Sequence, residues 1–170
     1  MKGVTPYSGW AQFYFRRLLG RIVNVGRLGR PGLTILDFGC GKGELKRLLK
    51  NSTVLGYDII PSLSDVEDWR KVDFDVLVAN EVFYAFNEGD LENLLLELRK
   101  KNKNLELVVG ISRQGLLNKI GKHLFGGSDA HSLTKMMPQT EVKTLERHCV
   151  ILRRSNVLFL ANVYSLKFRT

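Results

Sequence analysis

The chain has 170 residues, 44% hydrophobic and 25% charged, and its 26 Lys and Arg against 17 Asp and Glu give a formal charge of +9. That length suits one domain with its own core, so neither disorder nor a disulfide framework, which two cysteines cannot supply, is expected. No run approaches the ~18 uncharged apolar residues of a membrane span, and the apolar stretch 10–19 is split by Arg16 and Arg17 with no cleavage pattern after it, so the expectation is a soluble cytoplasmic domain with reduced thiols.

Ser8 is placed to cap a helix over 9–25, in which Trp10, Phe13, Tyr14, Leu18 and Ile22 recur at helical spacing as one apolar face. Residues 26–32 (GRLGRPG) read as a flexible basic connector. A short apolar strand, 34–38, runs into the loop Gly39-Cys40-Gly41-Lys42-Gly43, and residues 44–50 follow as a helix with Leu45, Leu48 and Leu49 inward. Residues 53–57 form a second strand, followed at once by Asp58. Between Asp58 and Asp75 there is room only for a loop and one short helix, 65–70, capped by Ser64. The run 74–79 is almost continuously apolar, as suits a strand buried on both faces. A helix at 90–101 turns Leu91, Leu94, Leu95 and Leu98 inward, and a strand spans 105–111. A helix is expected at 114–124, another from Pro138 to 148, and two closing strands, 149–154 and 157–168, with a tight turn at Ser155-Asn156. Alternating strands and helices predict a doubly wound, mostly parallel α/β sheet (Rossmann-like) with a closing antiparallel hairpin. Such sheets bind ligands beyond the carboxyl ends of their strands.

The loop after Asp37 carries the chemistry. Glycines there allow positive φ and close approach of a ligand. A dinucleotide site needs G-x-G-x-x-G/A for its pyrophosphate, but the third small position is Glu44, and Asp37 and Glu44 would repel phosphate. A nucleotide phosphate loop needs Gly-Lys-Ser/Thr, which is absent. S-Adenosylmethionine, with an ammonium, a sulfonium and no phosphate, suits the two carboxylates, and Asp58 ends the next strand where it can accept ribose hydroxyls.

At these residues the sequence resembles the class I S-adenosylmethionine-dependent methyltransferases. The segment 35–45 (ILDFGCGKGEL) looks like the family's first motif, 54–58 (VLGYD) like its second, and 74–83 (FDVLVANEVF) like the motif of its fourth strand. Residues 7–14 (YSGWAQFY) resemble the aromatic N-terminal segment of small members. The resemblance implies a single methyltransferase domain: a basic helix and connector (1–33), a cofactor core (34–111), and a substrate-side segment with the closing hairpin (112–170). It implies that Gly39, Gly41 and Gly43 pack against the methionine part of the cofactor, that Asp37 meets its ammonium, and that Asp58, with Ile59 beside it, binds the ribose. Asn80, Glu81 and Val82 would form the floor beside the reactive methyl. The family's third strand is expected to be lost or vestigial, which leaves Asp68 or Trp69 as candidates to contact adenine, unless Trp69 only covers the sheet edge.

Methyl transfer is an in-line displacement with an activated leaving group, so alignment is the main task and no universal catalytic residue is expected. Candidate bases are Glu81, Tyr84 and His131, with His123 as a further histidine flanking Gly126-Gly127. No Asn/Asp-Pro-Pro-Tyr/Phe follows the third apolar strand, which lowers base amines and glutamine amides as acceptors; Asn80-Glu81-Val82-Phe83 stands there instead. No metal cluster is visible. Segment 112–138, with Arg113, Lys119, Lys122 and Lys135, is the main substrate-determining candidate, and Met136-Met137 read as core. The acceptor, whether small molecule, protein or RNA, is unidentified. Alternatives from other classes are a non-catalytic S-adenosylmethionine-binding module and, disfavoured by Asp37 and Glu44, a dinucleotide oxidoreductase.

Charge is segregated along the chain. Residues 1–36 carry six basic side chains and no acid, 37–110 carry ten basic and fourteen acidic, and 111–170 carry ten basic and three acidic. The expectation is an acidic cofactor core with a basic rim suited to an anionic partner; Arg16, Arg17 and Arg21 read equally well as the solvated face of the first helix.

Overall fold

The computed structural model describes residues 10–113 and 135–170. The Ser8 cap, Tyr7, the helix expected at 114–124, His123 and His131 lie outside the described residues.

The first helix, α1 (Trp10–Gly26), buries Tyr14, Leu18, Ile22 and Val25, a spacing that keeps one stripe on one face. Phe13, expected on that face, is 45% exposed and lies under the Arg17 guanidinium, 5.0 Å from its ring centre. The connector is not a free linker. Leu28 is fully buried, its N–H bonds back to Val23 O at 2.9 Å, and Arg27 takes the left-handed turn (φ 50) that closes the helix. A Cβ on Gly26 would sit 2.8 Å from both Leu28 and Val108, so this glycine lets the helix end press on the sheet.

Six strands form one sheet: β1 (Thr34–Phe38), β2 (Thr53–Tyr57), β3 (Val76–Asn80), β4 (Glu106–Ser112), β5 (Cys149–Val157) and β6 (Ala161–Phe168), in the order β2-β1-β3-β4-β6-β5. The first four are parallel, and β6 joins β4 antiparallel with β5 outside it. Side chains alternate across the pleat. On one face Ile35, Val76, Val78 and Val108 meet α1 and α2 (Glu44–Leu48). On the other, Leu36, Phe38, Leu77 and Val109 meet α3 (Glu88–Lys101) and α4 (Pro138–His148). Asn87 caps α3, its side chain accepting from Asp90 N at 2.8 Å.

Four expectations are corrected. The short helix at 65–70 is replaced by 3-10 turns at Pro61–Leu63 and Trp69–Lys71. Ser64 does not cap it; its hydroxyl donates to Val66 O at 2.7 Å and accepts from Asp58 N at 3.1 Å. Met137 is not core but 52% exposed, whereas Met136 is buried. The closing turn is not at Ser155-Asn156, which lie inside β5; it is at Leu158-Phe159. Both residues have positive φ, 49 and 57, as in the hairpin turn whose twist matches the strands, a turn that Asn-Gly adopts without strain. Asn156 holds it, accepting from Phe159 N at 2.7 Å. Leu158 and Phe159 look like strand residues, so residue preferences alone place the turn at the polar pair Ser155-Asn156.

The sheet ends at β2, so the strand expected to be lost is absent among the described residues. Its place on the open edge is taken by one side chain. Asp65 Oδ2 accepts from Gly56 N at 2.8 Å, Asp65 N donates to Gly56 O at 2.8 Å, and Lys46 Nζ lies 3.0 Å from both Asp65 oxygens. A charged plug of this kind satisfies an edge and blocks strand addition. Backbone burial burdens elsewhere are met the same way: buried Glu106 accepts from Ser165 Oγ at 2.7 Å and pairs with Arg153, whose Nε donates to Val25 O at 2.6 Å.

Candidate functional site: the crevice at the switch point

The chain leaves β1 toward β2 and returns to β3 on the other side of β1. The carboxyl ends of β1 and β3 therefore border the crevice where such sheets bind ligands. Two turns form its lips, Gly39–Gly43 and Asn80–Val82. They touch: a Cβ on Gly39 would come within 2.5 Å of Val82 Cγ2, and Gly39 has φ 76. Gly41 and Gly43 have φ 50 and 72, but a Cβ at either would meet nothing within 4 Å. So Gly39 is required by packing and backbone alike, while Gly41 and Gly43 leave open space above the loop.

The loop is tied to the end of β2. Gly39 N and Cys40 N both donate to Tyr57 O, at 2.7 and 3.1 Å. Asp58 braces it further, Oδ2 accepting from Gly41 N at 2.9 Å and Oδ1 from Ile60 N at 3.0 Å. Each carboxylate oxygen keeps a second lone pair. Beside it, Ile59 is 88% exposed, an apolar side chain on the lip.

Asp37, at the end of β1, is 6% exposed. Among the described residues no group donates a hydrogen bond to its carboxylate, and its charged neighbours are Asp58 and Asp65. Burial first, then those two acids, push its pKa up to about 7. A buried carboxylate in that state lacks a cation. Asp37 also walls a cleft of about 300 Å³ with Cys40, Gly41, Lys46, Gly56 and Asp65. Gly39, Asp58 and the Asn80–Val82 turn are not among the walls of that cleft, which lies on the α2 side of the loop.

The second lip holds another acid. Glu81 has φ 56, unusual for a residue with a side chain, and its carboxylate is buried. It accepts from Ser112 Oγ at the end of β4 and from Tyr14 OH of α1 at 3.3 Å; Tyr14 OH lies 3.2 Å from Ser112 Oγ. Burial raises the Glu81 pKa despite both donors. Burial and Glu81 hold the Tyr14 hydroxyl well above the usual phenol range and raise Tyr84, so both stay neutral. Glu141, in the first turn of α4, is 3% exposed, and burial followed by the Glu81 charge pushes it up to about 8. Asn80 Oδ1 is a buried acceptor with no partner among the described residues, packed where a Cβ on Gly110 would lie 2.4 Å away.

The structure thus gathers Asp37, Gly39, Gly41, Gly43, Asp58 and Ile59 on one lip and Asn80, Glu81, Val82 and Tyr84 on or beside the other. It does not bring Asp68 and Trp69 to it as ligand groups. Trp69 is 2% exposed, its ring 6.2 Å from Phe38, and it belongs to the core; Asp68 caps the following turn by accepting from Arg70 N at 3.0 Å. Trp69 covers the sheet because no third strand does. Tyr14, Ser112 and Glu141 were missed. The signal for Glu141 was present: four residues before buried Leu145, it is an acid on the inward stripe of its helix.

Among the described residues no group of three or more His, Cys, Asp or Glu is placed to hold a metal ion, and no helix is long and apolar enough to cross a membrane.

No protein-family model matches the sequence, and no curated protein matches it. Solved structures do match. The PH0226 protein from Pyrococcus horikoshii OT3 is similar over 96% of this chain and 93% of its own, with 15% identity and a TM-score of 0.71. The N-methyltransferase NodS from Bradyrhizobium japonicum WM9, solved with S-adenosyl-L-homocysteine, is similar over 92% of this chain and 88% of its own, at 14% identity and a TM-score of 0.66. The N,N-8-amino-8-demethyl-D-riboflavin dimethyltransferase of Streptomyces davawensis is similar over 94% of this chain, at 17% identity and a TM-score of 0.63. This chain spans about half, 55%, of that enzyme's length. The fold is therefore the Rossmann-like fold of solved methyltransferases.

Proposed function

We propose that the chain is an S-adenosylmethionine-dependent methyltransferase acting on an acceptor that reaches the crevice from the Asn80–Val82 side. The observation that carries the reading is Asp37: a buried carboxylate without a donor among the described residues, at the end of β1, beside a loop whose glycines leave room above them. A cation resolves it, and a pyrophosphate would worsen it. S-Adenosylmethionine brings an ammonium on its amino-acid end. Asp37 would hold that ammonium, and the loop backbone at Gly39 and Gly41 the adjoining chain. Asp58 keeps free lone pairs for the ribose hydroxyls, and exposed Ile59 offers apolar surface to the base.

When bound, the cofactor supplies a methyl group on a sulfonium, an activated donor. The chain's own task is then to place the acceptor in line with that methyl, and orientation of this kind supplies up to ~7–11 kcal/mol in well-aligned reactions. The floor for it is the rigid contact of Gly39 with Val82, which fixes one lip against the other.

Titration calorimetry with S-adenosylmethionine and S-adenosylhomocysteine tests the reading. Binding of both is expected, and Asp58→Ala should weaken it about 10- to 100-fold, the worth of hydrogen bonds to a charged group. A folded protein that binds neither ligand, or an Asp58→Ala variant with unchanged affinity, overturns the cofactor assignment.

A further inference from the structure

We infer that the acceptor group is an amine, received by Glu81 where it is held by Ser112 and Tyr14. The inference rests on the methyltransferase reading and adds the chemical class of the acceptor.

Three elements meet at this point, and a fourth lies within reach of its charge. Glu81 stands on the turn after β3, Ser112 ends β4, Tyr14 comes from α1 and Glu141 from α4. The two hydroxyls fix the Glu81 carboxylate but do not neutralise it. Glu141 is 3% exposed and its carboxyl group, among the described residues, has no hydrogen bond or ion pair; the charge it feels is that of Glu81. Asn80 Oδ1, one residue earlier in the same turn, is a second acceptor without a donor. Among the described residues no Lys, Arg or His pairs with Glu81, Glu141 or Asn80, so this wall is rich in acceptors. A carboxylic acid, phenol or thiol acceptor would have to develop negative charge against the Glu81 carboxylate. An amine arrives with donors and, when protonated, with the opposite charge.

The chemistry balances without another reactant. The acceptor ammonium gives one proton to the Glu81 carboxylate, whose burial makes it a stronger base than an exposed glutamate. The freed nitrogen lone pair takes the methyl as the N–C bond forms. The C–S bond breaks, and its electron pair stays on sulfur. The product leaves as a methylated ammonium, and Glu81 returns its proton to solvent. Glu141 carries its proton when the site is empty and can release it to form a second contact with the cation.

The test uses the whole chain, S-adenosylmethionine labelled in its methyl group, and a small-molecule cell extract, with products typed by mass spectrometry. Label on nitrogen is expected. Glu81→Gln should lower kcat at least 100-fold, the usual worth of a positioned base, while its affinity for S-adenosylhomocysteine changes less than threefold. Glu141→Gln should raise KM more than it lowers kcat. It should also raise the melting temperature at pH 9, because it removes a buried charge. Label on oxygen, sulfur or carbon, or no methylated product from a protein that binds the cofactor, overturns the inference. So does Glu81→Gln within threefold of the parent kcat. Failure of the parent chain to bind S-adenosylhomocysteine would instead overturn the methyltransferase reading, so the two failures are distinguishable.

Discussion

Asp37 makes a prediction in which stability and ligand binding move in opposite directions. In an unfolded chain its carboxyl titrates near 3.8, and in the fold near 7. Between those values the folded state keeps a proton that the unfolded state has lost. Stability therefore falls as pH rises from about 4 to about 7, and is level above. At ~1.4 kcal/mol per tenfold change, the gap corresponds to ~4 kcal/mol lost by pH 8. Asp37→Asn removes the charge and keeps the shape. Its amide still needs an acceptor, at a cost of ~1–2 kcal/mol. The variant should thus be about 2–3 kcal/mol more stable than the parent at pH 8 and no more stable at pH 4. Urea unfolding of both proteins at pH 4, 6 and 8 measures this, and taking the difference cancels the other carboxylates. The same variant should lose most of its affinity for S-adenosylmethionine. In the parent, binding below pH 7 should release a proton, seen in calorimetry as heat that varies with the buffer. A variant less stable than the parent at pH 8 would refute the reasoning, since it would mean that Asp37 is already paired in the empty protein.

Two further substitutions test the geometry around the crevice. Gly39→Ala adds a Cβ 2.5 Å from Val82 Cγ2 at φ 76; a loss of about 2–4 kcal/mol in urea unfolding is expected, and Val82→Ala should recover the steric part but not the backbone part. The paired change Leu158→Asn and Phe159→Gly gives the closing turn residues that accept positive φ. It should stabilise the chain by about 1–2 kcal/mol, read as a higher melting temperature; an unchanged or lower value would show that Leu158 and Phe159 make contacts that outweigh their strain.

The parts of the site written in local sequence were legible, and the parts written in long-range packing were not. Asp37, the glycine loop and Asp58 lie within a single strand-loop-helix-strand unit, where each residue's role follows from where a strand must end. The loss of a third strand was legible too, because the chain between Asp58 and Asp75 is too short to hold one. What replaces it was not: Asp65 reads as the start of a short helix until it is seen on Gly56, and Trp69 reads as either an adenine contact or a cover for the sheet edge until it is seen in the core. Tyr14 was assigned correctly to an inward face, but its hydroxyl finds Glu81 sixty-seven residues away, a contact that periodicity cannot predict. The turn at Leu158-Phe159 runs against its own residue preferences, so any reading from propensity must miss it.

The three raised carboxyls have one consequence in common. Asp37, Glu81 and Glu141 are all shifted upward, by burial first; other acids add to the shift at Asp37 and Glu141, whereas at Glu81 the Ser112 and Tyr14 hydroxyls oppose it. None repays its burial by pairing with a cation within the described residues, so each makes the empty protein less stable as pH rises. Acids paired for stability shift the other way, as Asp65 does beside Lys46 and the Gly56 amide. Asp65, bonded at the sheet edge, is lowered, whereas Asp37, Glu81 and Glu141, which have no such partner cation among the described residues, are raised. A cation bound at Asp37 and a second at Glu81 would each reverse its own share of the loss. The cofactor and an amine acceptor analogue should therefore raise the melting temperature in separate increments, and both increments should grow between pH 6 and pH 8 by more than a neutral ligand's would. If stabilisation by S-adenosylhomocysteine, which keeps the ammonium, were flat across that range, Asp37 would not be the group that meets it.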